Sequence, residues 1–362
     1  MARPAPPLAK LARPDASGLV ARDRLFESLD RTGQNRLAWV SGPGGAGKTS
    51  LVASWLARRG TRVVWYRVDA GDSDPATFFH YLGIAARQAD RKKRWRLGHL
   101  TPEYLAGLDD FARRYFRDFF AGLPAPCVVV FDSLHQAGDS PLEQILAWAA
   151  NEVPPGMTMV CISRKTPGAP FARRAADVAF VHVNGNDLRL DDGEAHAIAR
   201  TGDYGADEVP ALLATAQGWT AGLVLMLRAQ AHKLAMRPAA GDTQREICDY
   251  FAGEIFTATD AATRDFLMRT AVLPTVPAAL AVTLSGFAGA AALLAELHGN
   301  QFFIERRADL PSTYDYHPLF RQFLLAQAQA ALPAGELARV RIHAAELLEQ
   351  SGEIEAAATE RR

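Results

Sequence analysis

One octapeptide near the N-terminus constrains the fold more than any other part of this 362-residue chain. It reads Gly-Pro-Gly-Gly-Ala-Gly-Lys-Thr over residues 42–49 and matches the pattern G-x-x-x-x-G-K-[ST]. An apolar strand-like run precedes it over residues 36–41, and a helical pattern beginning at Leu51 follows it. Between a strand and a helix, glycines let backbone N–H groups turn inward around an anion. The segment therefore predicts a phosphate-binding P-loop.

The side chains at the end of this loop have expected roles. Lys48 would bridge the terminal phosphates of a nucleotide, and Thr49 would ligate Mg²⁺. An ordinary glycine-rich turn is the alternative, and the strand–loop–helix context argues against it. The residues expected to bind ADP or ATP here are Gly44, Gly45, Ala46, Gly47, Lys48, Thr49 and Ser50.

The surrounding pattern predicts an α/β domain, a P-loop NTPase parallel sheet flanked by helices. Five strand candidates cover residues 36–41, 62–68, 127–131, 157–162 and 179–183. Helix starts are expected at residues 74–75, at 101–103 (reaching roughly to 121) and at the capping box of residues 140–143. Beyond residue 184 the pattern is helical, apart from a hairpin over residues 301–305 and 313–316. An all-α helical domain followed by a winged-helix domain is therefore expected.

The chain length favours several domains, because about 150 residues per domain is typical. A composition break over residues 236–242 divides the helical half. We expect a P-loop nucleotide-binding domain at 1–185, a helical domain at 186–240, a winged-helix domain at 241–330 and the start of a truncated helical-repeat region at 331–362. Helices at 340–350 and 353–359 form a lone pair, and repeat arrays need several neighbours. The sequence is therefore expected to end inside a larger protein.

A second strand carries a carboxylate where the nucleotide chemistry needs one. Residues 127–132 read Cys-Val-Val-Val-Phe-Asp, so Asp132 would lie at the carboxyl end of a parallel strand and hold Mg²⁺ with Thr49. A strand-terminating Asp without function is the alternative. Ser133 follows, where many hydrolysing P-loop ATPases have an acidic residue that orients water. Because serine is a poor base, hydrolysis is expected to be slow or to use another residue such as His135, whose alternative is a structural role.

A third strand ends in Ser163-Arg164. At the same crevice Arg164 could reach the γ-phosphate, and a surface salt bridge is its alternative. The predicted catalytic residues are thus Asp132, Ser133 and Arg164, with Thr49 and Asp132 as the Mg²⁺ ligands.

The overall composition excludes several classes of protein. Forty basic and forty acidic side chains cancel, which argues against a nucleic-acid coat protein or a membrane-surface binder. No apolar run approaches the length of a membrane span, and the N-terminus lacks the apolar core of a signal peptide. The three cysteines, Cys127, Cys161 and Cys248, have no metal-ligand spacing and are interpreted as buried thiols. We expect a cytoplasmic protein with no membrane partner.

Two clusters are interpreted without function. Residues 91–96 read Arg-Lys-Lys-Arg-Trp-Arg and resemble a nucleic-acid patch, but a solvated charge run is favoured because no second patch joins it. The aromatic residues Phe111, Tyr115, Phe119 and Phe120 have helical spacing and are predicted to be core.

Taken in order, several motifs resemble the STAND class of signalling NTPases, in particular the N-terminal half of MalT-like bacterial transcriptional regulators. The resemblance covers about residues 8 to 355. The pair of motifs at 218–223 (Gly-Trp-Thr-Ala-Gly-Leu) and 314–321 (Tyr-Asp-Tyr-His-Pro-Leu-Phe-Arg) makes it specific. The remaining matches are residues 19–25, the P-loop with its strand at 39–49, and the second strand with its following helix at 64–69 and 74–78.

The resemblance implies further nucleotide contacts and a mechanism. It places Val20 and Arg22 in a segment against adenine, Thr220 at the position of a proline that packs on adenine, and His317 on the ADP phosphates in the resting state. It implies an ADP-bound closed form that ATP and an unknown inducer convert to an open, self-associating form. DNA binding would belong to a C-terminal domain absent from this chain.

Two other functions stay open at this point. A housekeeping P-loop ATPase or kinase would work by turnover, and Ser133 and the lack of a substrate-binding insert count against it. A protein that binds DNA through the winged helix itself is weakened by the net neutrality, and it would show a steep salt dependence. A simple capping role for His317 at the helix begun by Pro318 is the alternative to its phosphate contact.

Overall fold

A computed structural model describes residues 8–31, 37–171, 180–202, 204, 208–235, 259–299, 303–307, 310 and 312–350. The chain divides into two compact units, Met1–Gly42 with Ala46–Arg189, and Pro43–Gly45 with Leu190–Arg362. The composition break at 236–242, Cys248 and the helix expected at 353–359 lie outside the described residues. The four-domain division stays a prediction.

The first unit contains a five-stranded parallel sheet. Its strands are β1 (Leu37–Ser41), β2 (Arg62–Arg67), β3 (Cys127–Asp132), β4 (Met157–Ser163) and β5 (Phe180–Val183). They lie in the order β2-β3-β4-β1-β5, so the strand before the P-loop is internal and β4 separates it from β3. All five predicted strands are confirmed over the described residues. The carboxyl ends of β1, β3 and β4 meet at one edge, which brings the P-loop, Asp132 and Arg164 into one crevice.

Helices cover this sheet. They are α1 (Asp23–Asp30), α2 (Lys48–Arg59), α3 (Pro75–Ala89), α4 (Leu108–Gly122) and α5 (Leu142–Asn151).

Two of these helices begin differently from expectation. The helix expected from residue 101 is a 3₁₀ segment, Pro102–Gly107, followed by α4, because Gly107 leaves helical backbone angles at φ −123° and ψ 44°. The capping box at residues 140–143 does not form. Glu143 accepts a hydrogen bond from the Gly168 backbone N–H at 2.5 Å, so its carboxylate turns away from the helix start.

Aromatic packing fills one face of the sheet. The four aromatic residues predicted to be core on α4 are each at most 3% exposed. Trp95 packs on the same helix, since a Cβ added at Gly122 would lie 2.2 Å from the indole ring. Trp95 is half-buried, and Lys93 of the basic run donates to the Ala121 and Gly122 carbonyls at 3.3 and 3.0 Å, so the solvated charge run stays a prediction.

The second unit is mostly helical. Its helices are α6 (Asp192–Thr201), α7 (Val209–Ala216), α8 (Thr220–Ala235), α9 (Ala261–Thr270), α10 (Ala278–Ser285), α11 (Ala290–Gly299), α12 (Pro318–Ala331) and α13 (Ala334–Gln350). The helix expected at 340–350 is the C-terminal part of α13.

A small antiparallel sheet lies among these helices. It has the order β6-β8-β7, with β6 at Val276–Pro277, β7 at Ile304–Arg306 and β8 at Thr313–Tyr316. The hairpin predicted from the sequence is β7 and β8, and residues 301–302 lie outside the described range. Strand β6 was missed because two residues are too few to show alternation. A hairpin with a third short strand among helices is the winged-helix arrangement, so the predicted fold class is confirmed.

Candidate functional site

The P-loop joins β1 to α2 through backbone that needs glycine. Gly45 and Gly47 have positive φ, 69° and 81°, a region that L side chains rarely adopt. A Cβ added at Gly42 would lie 2.7 Å from Leu188 Cδ1. Helix α2 begins at Lys48, and its first N–H groups have no partner within the helix. These conformations are what a loop wrapped around phosphate oxygens requires, so the predicted cradle fits a nucleotide.

Lys48 folds back over this loop. Its ammonium Nζ donates to the Gly42 carbonyl at 2.7 Å, and the side chain is only 9% exposed. A buried cation over a glycine-rich loop fits the terminal phosphates of a nucleotide.

Thr49 and Asp132 come together at the head of the sheet. The Thr49 hydroxyl lies 3.2 Å from each carboxylate oxygen of Asp132, which is 3% exposed. Burial raises the pKa of Asp132, while the hydrogen bond from Thr49 opposes that shift. Two oxygens at right angles on Mg²⁺ lie about 3 Å apart, since each metal–oxygen bond is about 2.1 Å. The pair therefore fits two neighbouring ligands of one magnesium ion.

No cluster of three or more His, Cys, Asp or Glu side chains in the described part of the chain could hold a metal by itself. For a magnesium ion held by Thr49 and Asp132, the phosphates and water would supply the other ligands, as is usual for Mg²⁺. Over the same residues, no helix has both the length and the apolarity to cross a membrane.

Ser133 follows Asp132 in left-handed backbone, with φ 65°. Its hydroxyl lies 3.4 Å from Asp132 Oδ1, so this position offers a hydroxyl where a second carboxylate would orient water.

His135 lies in the 3₁₀ turn that follows Ser133, Leu134–Ala137. Its Nδ1 accepts a hydrogen bond from the Arg164 backbone N–H at 3.4 Å. Burial lowers the pKa of His135 to about 3, and the positive charge of Arg164 acts in the same direction. The imidazole is therefore neutral near pH 7 and orders the start of the Arg164 segment.

The segment before α1 contacts the last residues of the first unit. Arg22 is 6% exposed, and its guanidinium donates to the carbonyl oxygens of Leu188 and Arg189 at 3.0 and 3.1 Å. Val20 is half-buried beside it in sequence. These contacts anchor the segment, and its contact with adenine stays a prediction.

The two predicted residues of the second unit lie on different elements. Thr220 is half-buried and begins α8. His317 precedes α12 at the N-cap position, but its side chain makes no capping bond. Its Nε2 lies 3.0 Å from the Ala216 carbonyl oxygen instead. The structure thus disfavours the capping alternative, and the contact with ADP phosphates stays a prediction.

Sequence reasoning gave Trp219 no role, although it stands in the quoted motif. The indole Nε1–H donates to the Gly44 carbonyl at 2.9 Å, at the apex of the P-loop, and both residues belong to the second unit. The only signal was a tryptophan between two glycines, Gly218 and Gly222.

Two family models match the chain. An AAA ATPase domain matches residues 19–162, which contain the P-loop and Asp132. A MalT winged helix domain matches residues 252–336, which contain the small sheet and His317.

Solved structures with this architecture include archaeal ATPases. A Walker-type ATPase of Pyrococcus abyssi is 15% identical, with a TM-score of 0.56, and the match covers 84% of this chain and 95% of that one. A signal transduction ATPase with numerous domains and a tetratricopeptide repeat sensor, from Pyrococcus horikoshii, is 16% identical with a TM-score of 0.42. That match covers 97% of this chain and 49% of the other, so the chain spans about half the length of the archaeal protein. The likeness to the Pyrococcus abyssi protein shows the fold.

Proposed function

We propose that this chain, a MalT-like P-loop NTPase, is the nucleotide-controlled switch of a transcriptional regulator. It rests closed with ADP, and ATP together with an inducer opens it for self-association. One observation carries the proposal. Lys48 lies over the P-loop and the Thr49 hydroxyl bonds to Asp132, which is the arrangement that a magnesium nucleotide needs, while Ser133 stands where rapid hydrolysis needs a second carboxylate. Tight binding with slow turnover is what a switch requires, because its state must outlast a catalytic cycle.

The nucleotide content of the purified protein tests this proposal. We expect ADP to be retained through purification, and ATP turnover to be far below the 1–100 s⁻¹ of ordinary kinases. Sedimentation should show larger species with ATP than with ADP. A nucleotide-free protein, or one that turns over ATP several times a second, would contradict the switch.

Placing a carboxylate at position 133 is expected to raise ATP hydrolysis. Ser133→Asp or Ser133→Glu supplies a base next to Asp132, and general bases contribute roughly 10²–10⁴-fold in suitable geometry. The left-handed backbone of Ser133 accepts Asp more readily than most residues. Steady-state phosphate release measures the effect. Ser133→Asn and Ser133→Gln are the controls, since they match the shapes without the charge and should leave the rate unchanged. A lower rate in both acidic variants would refute our interpretation of Ser133.

Removing the His317 imidazole is expected to weaken ADP retention and ease opening. A charge-assisted hydrogen bond to a phosphate contributes roughly 1.5–3 kcal/mol, so His317→Ala should weaken ADP binding about tenfold or more and increase self-association with ATP. Since Nε2 faces Ala216, donation to a phosphate would come from Nδ1, so both ring nitrogens must carry hydrogen.

His298→Ala is the matched control for this change. His298 Nδ1 lies 3.1 Å from the Ile304 carbonyl oxygen, so this variant also removes a contact between an imidazole and a backbone carbonyl in the second unit. It should lower stability without changing ADP affinity. If His317→Ala behaves in the same way as this control, the closed-state contact of His317 is excluded.

A further inference from the structure

The Gly-Trp-Thr-Ala-Gly-Leu segment at 218–223 bonds directly to the apex of the P-loop. The Trp219 indole N–H donates to the Gly44 carbonyl at 2.9 Å, and the backbone N–H of Ala221 donates to the Gly45 carbonyl at 3.0 Å. Trp219 is 5% exposed, so water does not compete for the first of these bonds. Two successive peptide groups of the loop are thereby held from one side.

Because the peptide group is planar, fixing the two carbonyl groups also fixes the N–H groups on the opposite side, which would face the phosphates. In a planar trans peptide the carbonyl and the N–H point in opposite directions. Holding the Gly44 oxygen therefore orients the N–H of Gly45, and holding the Gly45 oxygen orients the N–H of Ala46. Glycine has little intrinsic preference for one orientation, so these amides need an external restraint. We infer that Trp219 is a positioning residue for phosphate binding, which preorganises the amides of the P-loop apex.

The indole is itself held by two residues that flank strands of the small antiparallel sheet. Its ring packs edge-on against Phe303, with ring centroids 4.9 Å apart, and against His317 at 5.7 Å. Phe303 immediately precedes β7, and His317 immediately follows β8. Gly222 makes room for the indole, because a Cβ there would lie 2.4 Å from Trp219 Cε3. A displacement of this sheet would release the indole and with it the P-loop amides.

The inference rests on the proposed nucleotide site and is tested with two probes. Trp219→Phe keeps an aromatic ring and removes the N–H donor. A neutral hydrogen bond contributes enough to change a binding constant roughly 3- to 10-fold. We expect ADP affinity, measured by calorimetry, to fall by that factor. Inorganic pyrophosphate, measured by displacement of ADP, should weaken by the same factor, because it has the phosphates and lacks the base.

Trp95→Phe is the matched control. The Trp95 indole also donates to a backbone carbonyl, that of Asp90 at 3.0 Å, but it packs on α4. This variant should lose stability and bind both probes as the wild type does.

A spectroscopic measurement keeps the test decisive if Trp219→Phe folds poorly. In ¹⁵N-tryptophan-labelled protein, single Trp→Phe variants of the other five of the six tryptophans leave the Trp219 indole N–H resonance assigned by elimination. ADP and pyrophosphate should each shift that resonance. Loss of ADP affinity without loss of pyrophosphate affinity would overturn the inference, since Trp219 would then act through the base. Unchanged affinity for both probes, or no shifted indole resonance, would also overturn it. A wild-type protein that binds neither probe would instead refute the nucleotide site.

Discussion

Replacing Lys48 with alanine is expected to weaken ADP and ATP binding by at least about 100-fold while the chain keeps its fold. The ammonium lies over the P-loop, 2.7 Å from the Gly42 carbonyl and largely shielded from water. Charge-assisted hydrogen bonds contribute roughly 1.5–3 kcal/mol each, and Lys48 would make one to each of two phosphates. Since 1.4 kcal/mol is tenfold, losing both bonds costs at least about two orders of magnitude.

Calorimetry with ADP and a thermal unfolding scan measure both parts of this expectation. Lys92→Ala is the control, because Lys92 is exposed and lies in the charge run that we interpret as solvated. ADP affinity that is unchanged in Lys48→Ala would reject the P-loop as the nucleotide site, and with it the switch.

Neutralising Asp132 is expected to abolish the dependence of the site on magnesium. Asp132→Asn keeps the shape and still accepts a hydrogen bond from the Thr49 hydroxyl, but it removes the anionic ligand. Because a carboxylate is a far better ligand for Mg²⁺ than an amide, residual ATP hydrolysis should fall by roughly 10- to 100-fold. ADP binding without magnesium should persist, since Lys48 and the loop amides would contact the phosphates independently of the metal.

The fold should tolerate this change, because burial already disfavours the charge of Asp132 and raises its pKa. Titrating ADP with and without Mg²⁺ separates the two effects. Asp118→Asn, on the exposed side of α4, is the control and should retain the full magnesium effect. Equal magnesium enhancement in Asp132→Asn and in the wild type would remove Asp132 from the metal site.

The parts of the fold that could be predicted are those whose cause is local in sequence. The glycines of the P-loop are needed for backbone angles at those very positions, and the apolar run before Asp132 predicts a buried strand without reference to distant residues. The same holds for the N-cap of α3, where the Asp74 carboxylate accepts a hydrogen bond from the backbone N–H of Thr77, three residues later. Local patterns failed where a distant group competed, as for Glu143, which bonds to Gly168.

The candidate site was predictable in its residue types and not in its contacts. A motif names Lys48, Thr49 and Asp132 because phosphate and magnesium chemistry require those groups in a P-loop protein. The meeting of Thr49 and Asp132 depends on β4 lying between β3 and β1, the strand that leads into the P-loop, which is a property of strand order. The same is true of His317. The sequence identifies it as part of a motif, but only the fold shows that its Nε2 lies beside the Ala216 carbonyl oxygen.

Trp219 is the clearest case of a role that arises only in the folded chain. The sequence shows only a tryptophan among the small residues of the 218–223 motif. Its donor meets Gly44, 175 residues earlier in the chain, and its ring meets Phe303 and His317 at the small sheet. Composition, spacing and glycine chemistry thus specify a nucleotide-binding α/β domain and a helical half with a wing. Long-range packing selects the side chain that holds the loop, because hydrogen-bond direction and burial depend on atoms that one-dimensional patterns do not bring together.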